Sequence, residues 1–399
     1  MKHYRSRPQQ LIMVCFIILF TFMLSACDMG GGQSSPAKSP TATTSASKST
    51  PSTSATATPA GIRLGAQTCP SAVSVPTYWD AIIATQANIN KVESVACGNL
   101  EGNTTLQALV LVRNQGTGSI LDVYVYSNIT NPKPKKDFQL MGLYKGDAKI
   151  SNYNTVVTAE VDLDSSVNKN QPNAGVKQDL YREFKWSDSS ATLVPVSFPG
   201  IYPVLTRYEA EAEQLNVNKG QNFWERDATQ TVSHFADKLL NWQNAQVTIT
   251  SGGGQTDVSA ETTVKSPKIG GGIVKVSMSR LEGNANGGIW IVTAVATDGL
   301  ALTAPNNQDR ISSPVSVAGK GNAFEGVVGT VKVLNHLYDE VGSVQAKGGG
   351  NGANTPFSAS VTYTKTFKGG TEEGLVALFT NSQADGSIAG AVIEKELLA

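Results

Sequence analysis

The sequence predicts a mainly β protein with α+β content: a β-rich first segment, a middle segment of helices followed by an antiparallel sheet, and a final β-sandwich. Three observations predict it. Only 16% of the 399 residues are charged while 38 are Gly, a balance that suits β-rich extracellular modules. Short apolar or alternating runs bounded by Gly, Asn and Pro recur from residue 62 to the end, which is the signature of strands and turns. Helical periodicity is confined to three stretches. Residues 62–399 are enough for two or three domains.

The chain opens with Lys2, Arg5 and Arg7, an apolar run over residues 11–24, and Leu24-Ser25-Ala26-Cys27. A bilayer core takes roughly 20 apolar residues to cross, so a run this short reads as a secretory signal; an uncleaved anchor helix is the alternative. The Leu-Ser-Ala-Cys ending resembles the bacterial lipobox. That resemblance implies cleavage after residue 26 and a thioether-linked diacylglycerol, with palmitate-type acyl chains, on Cys27. The mature protein would then sit on the extracytoplasmic face of the cell membrane. Two acyl chains anchor stably where one binds only marginally. Loss of the signal leaves 29 basic residues against 32 acids. The slight negative balance argues against a nucleic-acid partner and against electrostatic adhesion to anionic lipid.

Residues 27–61 carry Gly30-Gly31-Gly32 and a Ser/Thr/Ala/Pro run to Pro59, with no aromatic residue. Such a stretch buries too little apolar area to offset its ordering entropy and reads as a disordered tether. It spans on the order of 30 Å as a coil and roughly 100 Å fully extended.

The first folded segment is placed at 62–200. Of four Cys, Cys15 leaves with the signal and Cys27 is taken by lipid, so Cys69 and Cys97 remain as one pair in an oxidising compartment. Their disulfide would stabilise by about 3 kcal/mol through lost chain entropy; a redox pair or metal site is the alternative. Thr77-Tyr78-Trp79-Asp80 reads as an N-cap with an acid three residues on, followed by Ile82 and Ile83 at helical spacing. Strands follow at 106–112, 121–126, 138–144 and 156–163. Gly98-Asn99-Leu100-Glu101-Gly102-Asn103 reads as a plain turn; a weak calcium loop is the alternative, short of carboxylates with Glu101 alone. Residues 179–186 mix aromatics with charges. They form either a half-buried strand, with Leu180, Phe184, Trp186 and the stem of Arg182 inward and Tyr181, Glu183 and Lys185 in water, or a carbohydrate platform around Trp186.

The middle segment is placed at 201–303. A helix over 205–215 carries Glu209, Glu211 and Glu213, read as a solvated face. Trp224, Ala228, Val232, Phe235, Leu239 and Trp242 make one apolar stripe of a second helix, with His234 beside it. Strands at 246–250, 256–264, 273–278 and 288–295 complete an α+β unit. Ending in Gly287-Gly288-Ile289-Trp290, this order resembles the cone-shaped nuclear-transport-factor-like family, many members of which only bind.

The last segment, 310–399, reads as an antiparallel sandwich of short strands with Gly turns. Ser313-Pro314-Val315-Ser316-Val317-Ala318-Gly319, Phe324-Glu325-Gly326, Pro356-Phe357-Ser358 and the Ser382 to Asp385-Gly386 turn resemble the immunoglobulin-like domain of bacterial spore-germination proteins. Phe324 is read as a core aromatic, Glu325 as a strand-edge carboxylate and His336 as exposed.

No catalytic constellation emerges. His234 and His336 lack a second His at metal-ligand spacing, so neither a metal nor another cofactor is expected, and no Ser lies in a Gly-x-Ser-x-Gly elbow. The expectation is a lipid-anchored, non-catalytic binding or assembly protein of the envelope, linked through the resemblance to spore germination. Its partner would be an envelope protein or cell-wall glycan. A solute- or glycan-binding lipoprotein and a hydrolase with an unrecognised site are the alternatives.

Overall fold

Five antiparallel strands, β1 (Ala66–Gln67), β2 (Asn90–Gly98), β3 (Gln107–Asn114), β4 (Leu121–Ser127) and β5 (Lys135–Leu143), lie side by side in chain order, with helix α1 (Pro76–Ile83) between the first two in sequence. The computed structural model describes residues 65–86, 88–282, 287–348, 350 and 352–399; the signal segment, Cys27 and the tether at 27–61 lie outside the described residues. A second antiparallel sheet follows: β6 (Asp147–Ile150), β7 (Val156–Glu160), β8 (Leu180–Ser187) and β9 (Thr192–Val196).

Alternation on β3 and β4 explains how these parts stack. Ala108, Val110, Val112, Tyr124 and Tyr126 face Trp79 of α1, while Leu109, Leu111, Leu121, Val123 and Val125 face Ile150, Val156, Phe184 and Leu193 of the second sheet. A strand covered on both faces must be apolar where it is covered, as β3 is from Ala108 to Val112. Cys69 and Cys97 are joined by a disulfide that ties the α1 side of the sheet. The helix is capped two residues before the expected Thr77: Val75 is the N-cap and Pro76 takes the first turn, where its fixed φ fits and its missing N–H costs nothing. Asp80 instead accepts from Val92 N at 3.1 Å and Thr85 Oγ1 at 2.5 Å, fixing α1 to β2.

The middle part holds α2 (Arg207–Asn218), a 3-10 turn (Phe223–Arg226), α3 (Ala228–Leu240) and the meander β10 (Gln246–Gly252), β11 (Ser259–Lys265), β12 (Ile273–Ser279), β13 (Ile291–Ala296). The single helix expected over 224–242 is two pieces. Asp227 breaks it by accepting from Gln230 N, which makes it the N-cap of α3. Thr206 and Glu209 form a reciprocal cap on α2. The acids of that helix are not a solvated face: Glu211 is buried and paired with Lys149 at 2.7 Å.

The last part comprises β14 (Ala301–Ala304), β15 (Arg310–Ile311), β16 (Val315–Ala323), β17 (Val327–Leu334), β18 (Glu340–Lys347), β19 (Gly352–Val361), β20 (Glu372–Asn381) and β21 (Ile388–Leu398). Strands β14-β16-β19 form one layer of a sandwich. The other layer does not stop at the sandwich. It runs β18-β17-β20-β21 and continues through β21–β13 pairing at Val295↔Ile393 into the middle meander. β14, placed by sequence with the middle segment, pairs with β16 of the sandwich.

β20 and β21 therefore serve two cores. Leu375, Ala377, Phe379, Ala391 and Ile393 pack with Phe235, Val276 and Trp290 of the middle part; Val376, Leu378 and Val392 pack with Val317, Val331 and Phe357 of the sandwich. The unbroken run Leu375-Val376-Ala377-Leu378-Phe379 is what two covered faces require. Gly272 makes the same junction tight: a Cβ there would lie 1.6 Å from Ala389 O.

Candidate functional site

Two polar concentrations stand out, one among strand and turn residues and one shared between a strand, a connector and the helical segment. The first is buried. The turn between β17 and β18 is held by Asn335 Oδ1, which accepts from Leu337 N and Asp339 N at 2.9 Å each, an Asx-type arrangement. In that turn His336 is buried, only 6% exposed, which corrects the exposed position expected for it. The turn is covered by the loop between β7 and β8, where Ser166 Oγ donates to Asp339 Oδ2 at 2.5 Å.

His336 Nδ1 lies 2.9 Å from Glu372 Oε2 at the start of β20. Nε2 points towards Asp179 Oδ2 at 3.8 Å, beyond hydrogen-bond range. Asp179 Oδ1 accepts from Asp162 N at 2.9 Å, and Asp162 Oδ1 accepts from Asp164 N at 3.0 Å. Asp162, Asp179 and Glu372 are all buried. Among the described residues, Asp162 Oδ2, Asp179 Oδ2, His336 Nε2 and Glu372 Oε1 find no hydrogen-bond partner. One ligand atom each from Asp162, His336 and Glu372 lies within 4.8 Å of the others. Burial alone would lower the His336 pKa, but the Asp179 and Glu372 carboxylates outweigh it and hold the imidazole at about 9. Burial raises the pKa of Asp162.

Around this cluster Arg182 and Lys365 give their hydrogen bonds to other groups, although Lys365 still feels the Glu372 charge. Arg182 pairs with Glu160 and lies 5.1 Å over the Phe367 ring, and Lys365 donates to Gly370 O. On the opposite face of β20 and β21, fully buried Lys395 reaches Glu373 Oε2 at 3.3 Å and donates to Leu205 O at 2.8 Å. Glu373 also accepts from Ser197 Oγ and Phe198 N at 2.8 and 3.0 Å. The pair thus fastens the 197–205 connector to the sandwich. Burial raises the Glu373 pKa and lowers that of Lys395.

The second concentration is an open cleft of about 370 Å³ between β8, the 201–204 connector, α2 and the 3-10 turn. Tyr181, Tyr202, Tyr208 and Trp224 line it, together with Glu209, Glu213 and Glu225. Tyr181 and Tyr208 stack at 5.2 Å, and Tyr208 OH donates to Asp147 Oδ2 at 2.8 Å. Glu225 is 2% exposed, its Oε2 lacks a partner among the described residues, and burial pushes its pKa up to about 8. A neutral carboxyl in an aromatic cleft can donate as well as accept a hydrogen bond.

The residues singled out from sequence are distributed differently. Tyr181 joins the cleft, Phe184 enters the core, and Trp186 is half-buried with Nε1 donating to Asp188 Oδ1 at 2.9 Å; no platform gathers around it. Glu183, expected in water, is buried and pairs with Arg207 at 2.7 Å, because α2 covers that face of β8. Glu101 bonds within its own turn, accepting from Asn103 Nδ2 at 2.7 Å. His234 is exposed beside Trp224, ring centroids 4.3 Å apart. Phe324 is not a core aromatic: it is 54% exposed at the β16–β17 turn, where Glu325 has φ 50°. A turn that tight carries its side chains outward. Sequence reading missed Asp162, Asp179, Glu372, Glu373 and Lys395. The available signal was charge embedded in apolar strands, Glu372-Glu373 before the β20 run and Glu394-Lys395-Glu396 inside β21.

Residues 300–387 match Gmad2, the immunoglobulin-like domain of bacterial spore germination. The match spans β14 to β20 and ends just before β21. It includes His336, Glu372 and Glu373; Asp162, Asp179 and the aromatic cleft lie outside it. No curated protein matches the chain.

Proposed function

We propose that this is a lipid-anchored, extracytoplasmic, non-catalytic protein whose folded part binds or organises another envelope protein during spore germination. The observation that carries the reading is the immunoglobulin-like match at 300–387. The lipobox ending at Cys27 and the Ser/Thr/Pro tether support it from sequence, since two acyl chains would hold the chain at a membrane and the tether would let it search for a partner. The test is crosslinking and pull-down of the lipidated full chain from membranes, with mass spectrometry of its N-terminus. A reproducible envelope partner and a diacylglyceryl group on Cys27 are expected. An unmodified Cys27 thiol, or repeated empty pull-downs, overturns the reading.

The cleft favours a second reading, a solute- or glycan-binding lipoprotein. Its volume falls within the usual range for small-ligand sites, about 300–1,000 Å³, and aromatic faces with nearby carboxyls suit a sugar or a small polyol. A glycan array with the wild-type chain and Trp224→Ala is the check. Spots that light for the wild type and vanish for the variant support it; blank arrays for both remove it.

A further inference from the structure

The buried cluster between the first part and the immunoglobulin-like region has the composition of an ion site. Asp162 and Asp179 come from the two ends of the β7–β8 loop, His336 from the β17–β18 turn and Glu372 from β20. Local hydrogen bonds hold one oxygen of each aspartate and leave the other bare. His336 likewise leaves Nε2 without a hydrogen-bond partner among the described residues, and Glu372 leaves Oε1. Polar atoms left unsatisfied this deep are costly, and ligand atoms of Asp162, His336 and Glu372 lie within 4.8 Å of one another, with Asp179 facing the far side of the ring, so the cluster calls for an occupant.

Charge narrows the occupant. Three carboxylates face one imidazolium and the charge of Lys365, which feels Glu372 while hydrogen-bonding Gly370 O, and Arg182 is paired with Glu160, so one negative charge stays in excess. A water molecule would satisfy hydrogen bonds and leave the charge excess. A divalent cation answers both. Mixed imidazole and carboxylate donors suit Mn²⁺ or Zn²⁺ better than the all-oxygen shells of Ca²⁺ and Mg²⁺.

We propose that Asp162, His336 and Glu372, with Asp179 beside them, bind one divalent transition-metal ion that clamps the β7–β8 loop to the immunoglobulin-like region. Nδ1 and Nε2 of His336 both face carboxylates; the ion displaces one of the two imidazolium protons to solvent, and the nitrogen that keeps its N–H is oriented by the acid facing it, the usual arrangement around a ligating histidine. The role is structural, since the ligands come from two parts of the fold and are sealed from solvent.

The test uses the untagged full chain, stripped with EDTA and then dialysed separately against MnCl₂ and ZnCl₂ at micromolar concentration. One equivalent retained after desalting is expected with at least one of the two ions, together with a rise in Tm of about 5 °C. Asp162→Asn, Glu372→Gln and His336→Gln should each retain the ion at least about tenfold more weakly, whereas Asp298→Asn, on an exposed side chain, should not differ from wild type. Pulsed EPR of the Mn²⁺-loaded wild type should show imidazole nitrogen coupling that survives His234→Gln, a readout independent of whether the ligand variants fold. Failure of the wild type to retain either ion, retention unchanged in all three ligand variants, or absence of nitrogen coupling in a wild type that retains Mn²⁺ overturns the proposal. The germination reading is tested by its partner, so either proposal can fail without the other.

Discussion

The immunoglobulin-like region is joined to its two neighbours by opposite chemistries. Towards the middle part the junction is a continuous sheet, with β21 paired to β13 and Phe379, Leu375 and Ile393 packed into the core under α3. Towards the first part it is ionic, built from Asp162, Asp179, His336 and Glu372, with Arg182 over Phe367 at its margin. The apolar junction is non-directional and indifferent to salt. The ionic junction is directional, and taking its charges out of water costs several kcal/mol per ion unless partners replace the solvent. The first junction makes two parts one folding unit; the second can respond to what it binds.

The comparison is broken most directly at the apolar junction. Phe379→Ala removes a ring that is 4% exposed in the shared core and should cost about 3–5 kcal/mol, measured by urea unfolding. The loss should be the same in 50 mM and 500 mM salt. A strongly salt-dependent loss would mean that this junction is not what the packing indicates.

The Lys395–Glu373 pair is the next largest effect. Lys395→Met strands Glu373 in the core and should cost about 3 kcal/mol, while Lys395→Met with Glu373→Gln should recover most of it. A double-mutant cycle with additive losses would show that the two side chains act separately.

A smaller effect separates pH sensitivity in the cleft from that of either junction. Folding holds the Glu225 carboxyl protonated up to about 8, whereas an unfolded Glu ionises near about 4.3. The folded state therefore binds the extra proton between those values, and stability falls as pH rises through that window. Glu225→Gln should raise Tm by about 2–4 °C at pH 8.5, with the gain shrinking to nothing by about pH 4. Equal gains at both pH values would remove the assignment.

The smallest effect is at the surface. The Lys275–Asp298 pair spans 2.7 Å with both side chains more than half exposed. Asp298→Asn should change stability by less than about 0.5 kcal/mol, which sets the scale against which the buried pairs are judged.

Much of the fold was legible because it is local. The stripe Val232, Phe235, Leu239 places α3, alternation sorts the faces of β3 and β4, and the Gly-turn spacing of the last segment gives its sandwich. What was not legible depends on distance along the chain. β20 reads as a buried strand, but no pattern says that its second face belongs to the middle part. His336 reads as an isolated polar residue in a turn, and only the fold brings two loop aspartates and a strand glutamate to it. Asp227 caps α3, a break that the apolar spacing running through it conceals, since a 3-10 turn and an α-helix keep Trp224 and Ala228 on nearly the same side.

The family match closes at residue 387, one residue short of β21. A fragment cut at that boundary would lack the strand that pairs along all of β20. It would present a greasy, open-edged ribbon to water and clump. Extending the cut to residue 399 restores the strand but still bares Leu375, Phe379 and Ile393, which in the intact protein lie beneath a helix. Recombinant work on this module alone would therefore report self-association that the whole chain does not have, and dissection of the protein should begin upstream, at the connector before α2.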